Sequence, residues 1–205
     1  MIPDEWFTPA RAKLNLYLEI VGKRADGYHE LRTLFQTVDL ADEVRVVLGG
    51  EPGTRCVVEG AELPTDERNL AVRAANEWRR AMGSPAGVTL RITKRIPIGG
   101  GLGGGSSDAA AVLRCLEASA RSPNDRLDAG RLHELAGSLG ADVPFLLEGG
   151  FAEASGRGDV IVTLPSPPPV TYVLIVPPFG TETAKVYARA HERLRHAPSG
   201  GLDCA

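Results

Sequence analysis

Residues 97–108 read PIGGGLGGGSSD, and the apolar run AAAVL follows at 109–113. Six of the seven residues at 99–105 are glycine. The ten residues before the loop, GVTLRITKRI (87–96), alternate, with Val88, Leu90 and Ile92 on one side and charged groups on the other. That period of two is a strand. The alanine-rich run after the loop reads as a helix over about 107–119. A linker does not sit between a strand and a helix in this way. Strand, glycine loop and helix in this order make an anion site. Glycines let successive N–H groups converge, and the first turn of the helix adds unpaired N–H groups and a positive dipole end. Ser106 or Ser107 suits the cap of that helix, and either hydroxyl suits a phosphate or a metal ion. A Walker A loop needs a lysine after the glycines, and none is present. A dinucleotide-binding loop needs an acid at the end of the next strand, whereas Glu117 falls inside the helix. A purely structural loop is the weaker of the two remaining readings.

Working outward, residues 12–21 (AKLNLYLEIV) alternate as a strand. Leu14, Leu16, Leu18 and Ile20 are expected on its buried face, and Lys13, Asn15, Tyr17 and Glu19 on the other. KRADGYHE is a polar loop turning at Asp26-Gly27. Residues 31–38, 43–48 and 55–59 read as strands. A helix is expected from near Asn69 to Gly83, with Leu70, Ala74, Ala75 and Trp78 on one face. Another is expected over 130–139, with Gly140 suited to the position past its end. Residues 144–154 and 158–164 read as strands. After Ser166-Pro167-Pro168-Pro169, residues 170–176 (VTYVLIV) are almost wholly apolar and predict a strand buried on both faces, with a helix over 182–194 behind it. One such strand and one helix cannot cover each other. A second lobe is therefore expected to begin near residue 168 and to stop unfinished, giving lobes at 1–165 and 168–205.

The 205 residues are 43% hydrophobic and 24% charged, which are globular proportions. A formal net charge of −3 gives no bulk basic field for nucleic acid or membrane, so an anionic ligand must be held locally. Cys56, Cys115 and Cys204 are dispersed and form no CxxC pair, as expected of reduced thiols. MIPDEWFTPARAK has no apolar core of a signal peptide, and no run is long enough to span a membrane. A cytoplasmic location is expected.

PIGGGLGGGSSDAA resembles the phosphate-binding motif of the GHMP kinases. AKLNLYLEIVGKRADGYHELRTLFQTV (12–38) and LGADVPFLLEGGFAEASGRGD (139–159) are similar to two further motifs of the branch acting on a cytidyl diphosphate alcohol. The resemblance implies an α+β fold of two lobes. The N-terminal lobe would be ribosomal-protein-like with a left-handed βαβ crossover, and the C-terminal lobe ferredoxin-like and incomplete. It implies ATP and Mg²⁺ as cofactors. The expected reaction is phosphorylation of the 2-hydroxyl of a cytidyl diphosphate methylerythritol in non-mevalonate isoprenoid synthesis. Lys13 and Asp142 would be catalytic, Asp142 taking the hydroxyl proton and Lys13 steadying developing charge as a close partner. Asn15, Tyr28, His29 and Tyr187 would hold the acceptor, with the two tyrosines on the cytosine ring; the family usually has Phe at the latter position. ATP would lie on Pro97, Ile98, Gly99, Gly100, Gly101, Leu102, Gly103, Gly104, Gly105, Ser106 and Ser107. Asn69 and Leu70 would line the adenine pocket and Lys94 would reach a phosphate or the adenine. Ser107, with Asp108 near it, would approach the metal. A monomer or weak homodimer with no nucleic-acid partner is implied. The family's late Gly-Ser-Gly motif is absent, so two rivals stand beside the main reading: a shortened chain that at most binds nucleotide, and a GHMP kinase of another alcohol.

Overall fold

Two long strands organise the chain. In the computed structural model, which describes residues 5–25, 27, 29–122, 125–177, 186 and 189, β1 (Glu5–Lys23) pairs antiparallel with β2 (His29–Leu48). The sequence predicts two strands over 31–48; the structure has one. The polar stretch between them is absorbed by a register shift, Arg11 facing Ala41 and Lys13 facing Thr37. A bulge accommodates extra residues without ending a ladder. The other edge of β2 is shared. β5 (Phe151–Gly156) pairs with residues 31–36, and β4 (Val88–Thr93) pairs with residues 43–48. β3 (Thr54–Glu59) lies parallel to β4, and β6 (Val160–Leu164) antiparallel to β5. The sheet runs β3-β4-β2-β5-β6, with β1 on β2.

Over the described residues of 5–177, the part of the chain that holds the sheet, four helices complete the α+β architecture: α1 (Leu70–Met82), α2 (Gly104–Ala118), α3 (Ala129–Leu139) and α4 (Val143–Glu148). α1 starts where the sequence predicts. The Asn69 side chain accepts from Ala71 N, and Gly83, in the left-handed region at φ 59°, ends the helix. Its Ala71, Ala74, Ala75 and Trp78 are buried. α2 lies at the centre, touching β1, β2 and the three other helices. Its Ala109, Ala110, Ala111, Val112 and Leu113 are wholly buried, and they meet Val44, Val46, Leu90 and Ile92 of the sheet in one core. The helix is small-faced because it must lie close to the sheet on several sides at once. No helix of the described residues is long and apolar enough to cross a membrane.

Several expectations are corrected. α2 begins at Gly104, about a turn earlier than the sequence suggests, and its cap is Gly103 with no side-chain hydrogen bond. Neither Ser106 nor Ser107 caps it. Residues 143–148, predicted as the start of a strand, are α4; Pro144 stands in its first turn, where a missing N–H costs nothing. β5 starts only after Gly149 and Gly150. Gly140 follows α3 in an extended conformation, φ 173°, and not in the left-handed region. Residues 170–176 form no strand. Val173 and Ile175 are 87% and 91% exposed, and Tyr172 donates its hydroxyl to the Gln36 side chain. An apolar strand forms only against a partner edge, and no described residue supplies one. Of the predicted helix at 182–194, only Val186 and Arg189 are described.

Candidate active site

β1 is where the alternation expected from the sequence breaks down, and the site depends on that. Lys13 is expected on the solvent face, yet it is 6% exposed, while Leu16 and Leu18 are 42% and 46% exposed. A second register shift, between Asn15 and Tyr17, exchanges the faces of the strand. Lys13 and Asn15 thereby share a side with Phe35, which stands opposite Asn15.

The Lys13 ammonium has three defined neighbours. It donates to Asn15 Oδ1 at 2.7 Å, lies 3.4 Å from Asp142 Oδ2, and sits 4.9 Å from the centroid of the Phe35 ring. Phe35 is itself stacked on Phe145 of α4, centroids 4.8 Å apart. An aromatic face attracts an ammonium and occupies the side where no hydrogen-bond acceptor stands. Asp142 occupies the cap position of α4 but makes no side-chain capping bond. Its carboxylate is therefore turned to Lys13 and remains about a third exposed.

The glycine loop lies directly against this pair. Lys13 N donates to Leu102 O at 3.0 Å, and Leu102 joins Ala12 and Ile96 in a small apolar cluster beneath the loop. Ile98, Gly99, Gly100, Gly101 and Gly105 are exposed, while Pro97, Gly103 and Gly104 are half-buried. Gly103 has φ 73°, and a Cβ there would lie 3.0 Å from Lys13 Cγ and 3.3 Å from Leu146 Cδ1. Only glycine fits both the dihedral and the space. The uncapped first turn of α2 starts at this point.

The two serines differ. Ser107 is 1% exposed and donates its hydroxyl to Arg11 O at 2.7 Å, tying α2 to β1. Ser106 is half-buried, near Gly140 just before Asp142. Ser106 is thus the more open of the two hydroxyls, while that of Ser107, expected near the metal, is buried and donates to Arg11 O. Lys94 is likewise redirected. Its side chain is 5% exposed and ion-paired to both Asp42 and Asp108, 2.6 Å from the latter. Asp42 also accepts from the backbone N–H groups of Arg95 and Ile96. Asp42 therefore anchors the entry of the loop, and Lys94 joins that anchor to Asp108 beyond its exit. Burial pushes the Asp108 carboxyl up to about 7, against the opposing pull of Lys94. Nothing in the sequence pattern marks Asp42 for this task; an acid immediately before an expected strand looks like any turn residue.

Asn69 spends its side chain on capping α1 and on Pro64 O, the bland alternative for this residue. Leu70 reaches the loop, its Cδ1 lying 3.9 Å from a Cβ built on Gly105. His29 opens β2 opposite Lys23 and is half-buried. Tyr28 and Tyr187 lie outside the described residues. A cavity of about 260 Å³ lies beside Leu146, lined by Arg11, Arg114, Thr37 and Glu148 among others but by neither Lys13 nor Asp142.

Residues 69–150, from the cap of α1 past α4, match the GHMP kinases N terminal domain. Over this span the chain carries the N-terminal domain of the GHMP kinases. Among curated relatives it is 47% identical over 178 residues to a 4-diphosphocytidyl-2-C-methyl-D-erythritol kinase of Pelotomaculum thermopropionicum, covering 87% of this chain and 61% of that one. It is 46% identical over 184 residues to the enzyme of the same name from Mycolicibacterium gilvum, covering 89% and 56%. A crystal structure of 4-(cytidine 5'-diphospho)-2C-methyl-D-erythritol kinase aligns with TM-score 0.65 at 45% identity, over 79% of this chain and 56% of that one. Homoserine kinase from Cytophaga hutchinsonii, at 22% identity and TM-score 0.62 over 94% and 66%, shares the GHMP kinase fold. The chain spans 56–64% of the length of curated relatives of this name.

Proposed function

We propose that this GHMP kinase lobe serves transfer of the γ-phosphoryl group of ATP to the 2-hydroxyl of 4-diphosphocytidyl-2-C-methyl-D-erythritol, in the cytoplasm. The observation that carries the proposal is the Lys13–Asp142 pair, 3.4 Å apart, placed where Gly103 opens α2. An acceptor hydroxyl placed beside the pair has the carboxylate on one side and phosphates presented by the loop on the other. Its oxygen attacks the γ-phosphorus, its proton passes to Asp142, and the bond to the bridging oxygen breaks to release ADP. Such transfers need mainly in-line positioning and charge neutralisation. The Lys13 ammonium, fixed by Asn15 and Phe35, supplies the neutralisation from one direction. Backbone N–H groups of Gly104, Gly105 and Ser106 supply it from another.

Mg²⁺ is implied with ATP. The described residues include no group of three or more His, Cys, Asp or Glu able to hold a metal ion. Asp108 Oδ2 accepts from Lys94 while its buried Oδ1 has no partner, and the Ser107 hydroxyl donates to Arg11 O. Mg²⁺ would arrive on the phosphates of ATP. For the cytidyl end, His29 with Tyr28 and Tyr187 remain the proposed contacts, flat faces and an edge donor being what a pyrimidine needs.

Asp142→Asn tests the proposal. Turnover in a coupled ADP-release assay is expected to fall about 10²–10⁴-fold, while ATP binding measured by calorimetry changes little. Near-normal turnover in that variant would remove Asp142 from its role. Absence of turnover in the unsubstituted chain, with ATP still bound, would favour the nucleotide-binding rival.

A further inference from the structure

The contacts around Lys13 do not end at Asn15. Asn15 Nδ2 donates to Thr33 Oγ1 at 2.8 Å, and Thr33 Oγ1 donates to Tyr17 O at 2.6 Å. Thr33 is 1% exposed, one of the few buried polar residues, whereas Asn15 lies at the open surface of the site. The bulge that exchanges the faces of β1 also builds this chain. Asn15 faces Phe35, Tyr17 faces Leu34 and Leu18 faces Thr33, so Leu16 is the inserted residue. The Tyr17 carbonyl is thereby brought to the Thr33 hydroxyl.

The sense of these bonds is forced. A backbone carbonyl only accepts, so the single hydroxyl proton of Thr33 is committed to Tyr17 O. Thr33 can then only accept from Asn15, which must present its NH₂ group inward and its carbonyl oxygen outward. That oxygen is what an ammonium, a donor only, requires. Without the hydroxyl, an exposed carboxamide is free to turn toward water, and Lys13 loses a fixed acceptor.

We propose that Thr33 is the positioning residue of this site: its hydroxyl, held by Tyr17 O across the bulge, fixes the Asn15 carboxamide and through it the Lys13 ammonium. The inference rests on the kinase reading for its kinetic consequence, but not for its geometry.

The test uses the full chain with Thr33→Val, Thr33→Ala and Thr33→Ser, each compared in the presence and absence of Asn15→Ala. In the resting protein, the Asn15 side-chain NH₂ resonances are expected to be dispersed in the wild type and in Thr33→Ser. They should collapse to solvent-averaged positions in Thr33→Val. In turnover, kcat is expected to fall about ten- to hundredfold in Thr33→Val with the KM for ATP within about twofold, and Thr33→Ser should restore it. In the Asn15→Ala background, Thr33→Val should cost nothing more, because residues acting through one another are not additive. Thr33→Ala removes the hydroxyl without a methyl facing Asn15 and must reproduce the split if Thr33→Val fails to fold. Unchanged NH₂ resonances in the hydroxyl-free variants would overturn the proposal. So would a full kcat loss persisting in the Asn15→Ala background. A wild-type chain without turnover refutes the kinase reading alone, and the resonances of the resting protein still decide the relay.

Discussion

Alanine at two neighbouring loop positions should have opposite effects on stability. At Gly103 the backbone has φ 73°, and an alanine there adopts the left-handed region at a cost of about 1–2 kcal/mol. Its methyl would sit 3.0 Å from Lys13 Cγ and 3.3 Å from Leu146 Cδ1. Both neighbours are flexible side chains that must give way, which for an overfilled site costs about 1–3 kcal/mol. Gly103→Ala is therefore expected to destabilise by about 2–5 kcal/mol and to move Lys13 off Asp142. Gly105 differs in both respects. It is inside the first turn of α2, is not among the positive-φ glycines, and its methyl would touch only Leu70 Cδ1 at 3.9 Å. Gly105→Ala should gain about 0.5–1 kcal/mol from reduced freedom in the unfolded chain. It should also weaken ATP binding, since the methyl stands on the exposed side where phosphates approach the N–H groups. The assay is urea unfolding followed by the fluorescence of the buried Trp78, with ATP binding by calorimetry alongside. A Gly103→Ala variant within about 0.5 kcal/mol of wild type, or a Gly105→Ala variant destabilised as much as Gly103→Ala, would refute the reasoning.

Three further outcomes are expected. Leu113→Ala empties a site with no exposure at the centre of the core and should cost about 2–5 kcal/mol in urea midpoint analysis, with the slope unchanged. Asn69→Ala removes the α1 cap and should cost about 1 kcal/mol, whereas Asn69→Asp, which keeps the accepting oxygen but loses the donor to Pro64 O, should recover only part of it by the same measurement. Asp108 is held up at about 7 in the folded protein, above the value of an unfolded carboxyl, so the folded state binds the extra proton. Its contribution is fully present below about pH 4 and is lost as pH rises through about 7. Stability measured between pH 5 and pH 8 should therefore decline in the wild type, and the decline should be shallower in Asp108→Asn.

The parts of the fold that were legible were those where local pattern and tertiary need agree. β4 and α1 have one buried face each, and their alternation and capping residues say so directly. β1 misleads because three register shifts lie within it, and a bulge has no signature in a run of alternating residues. Read alone, AKLNLYLEI places Lys13 in solvent; only the motif resemblance moves it to the site. α4 was hidden for a different reason. Six residues are too few for a helical period, although the order Asp142, Val143, Pro144 is a usable start signal. Residues 170–176 carry the composition of a buried strand, but composition cannot supply a partner edge. The motif resemblance places Lys94 and Ser107 near the ligands. In the structure both are turned inward and brace the loop, through Asp42 and the Arg11 carbonyl, which stand far away in sequence.

The bulge in β1 has a consequence for how the site comes into being. Lys13, Asn15, Tyr17 and Thr33 all belong to one hairpin, and the Asn15–Thr33 bond spans only 18 residues. The glycine loop reaches that hairpin by contacts such as Lys13 to Leu102 and Ser107 to Arg11, the latter separated by 96 residues. Local contacts close quickly and distant ones late. During synthesis the β1–β2 hairpin emerges first and has its polar chain within its own reach. The glycine loop can only dock afterwards, onto a surface already shaped to receive it.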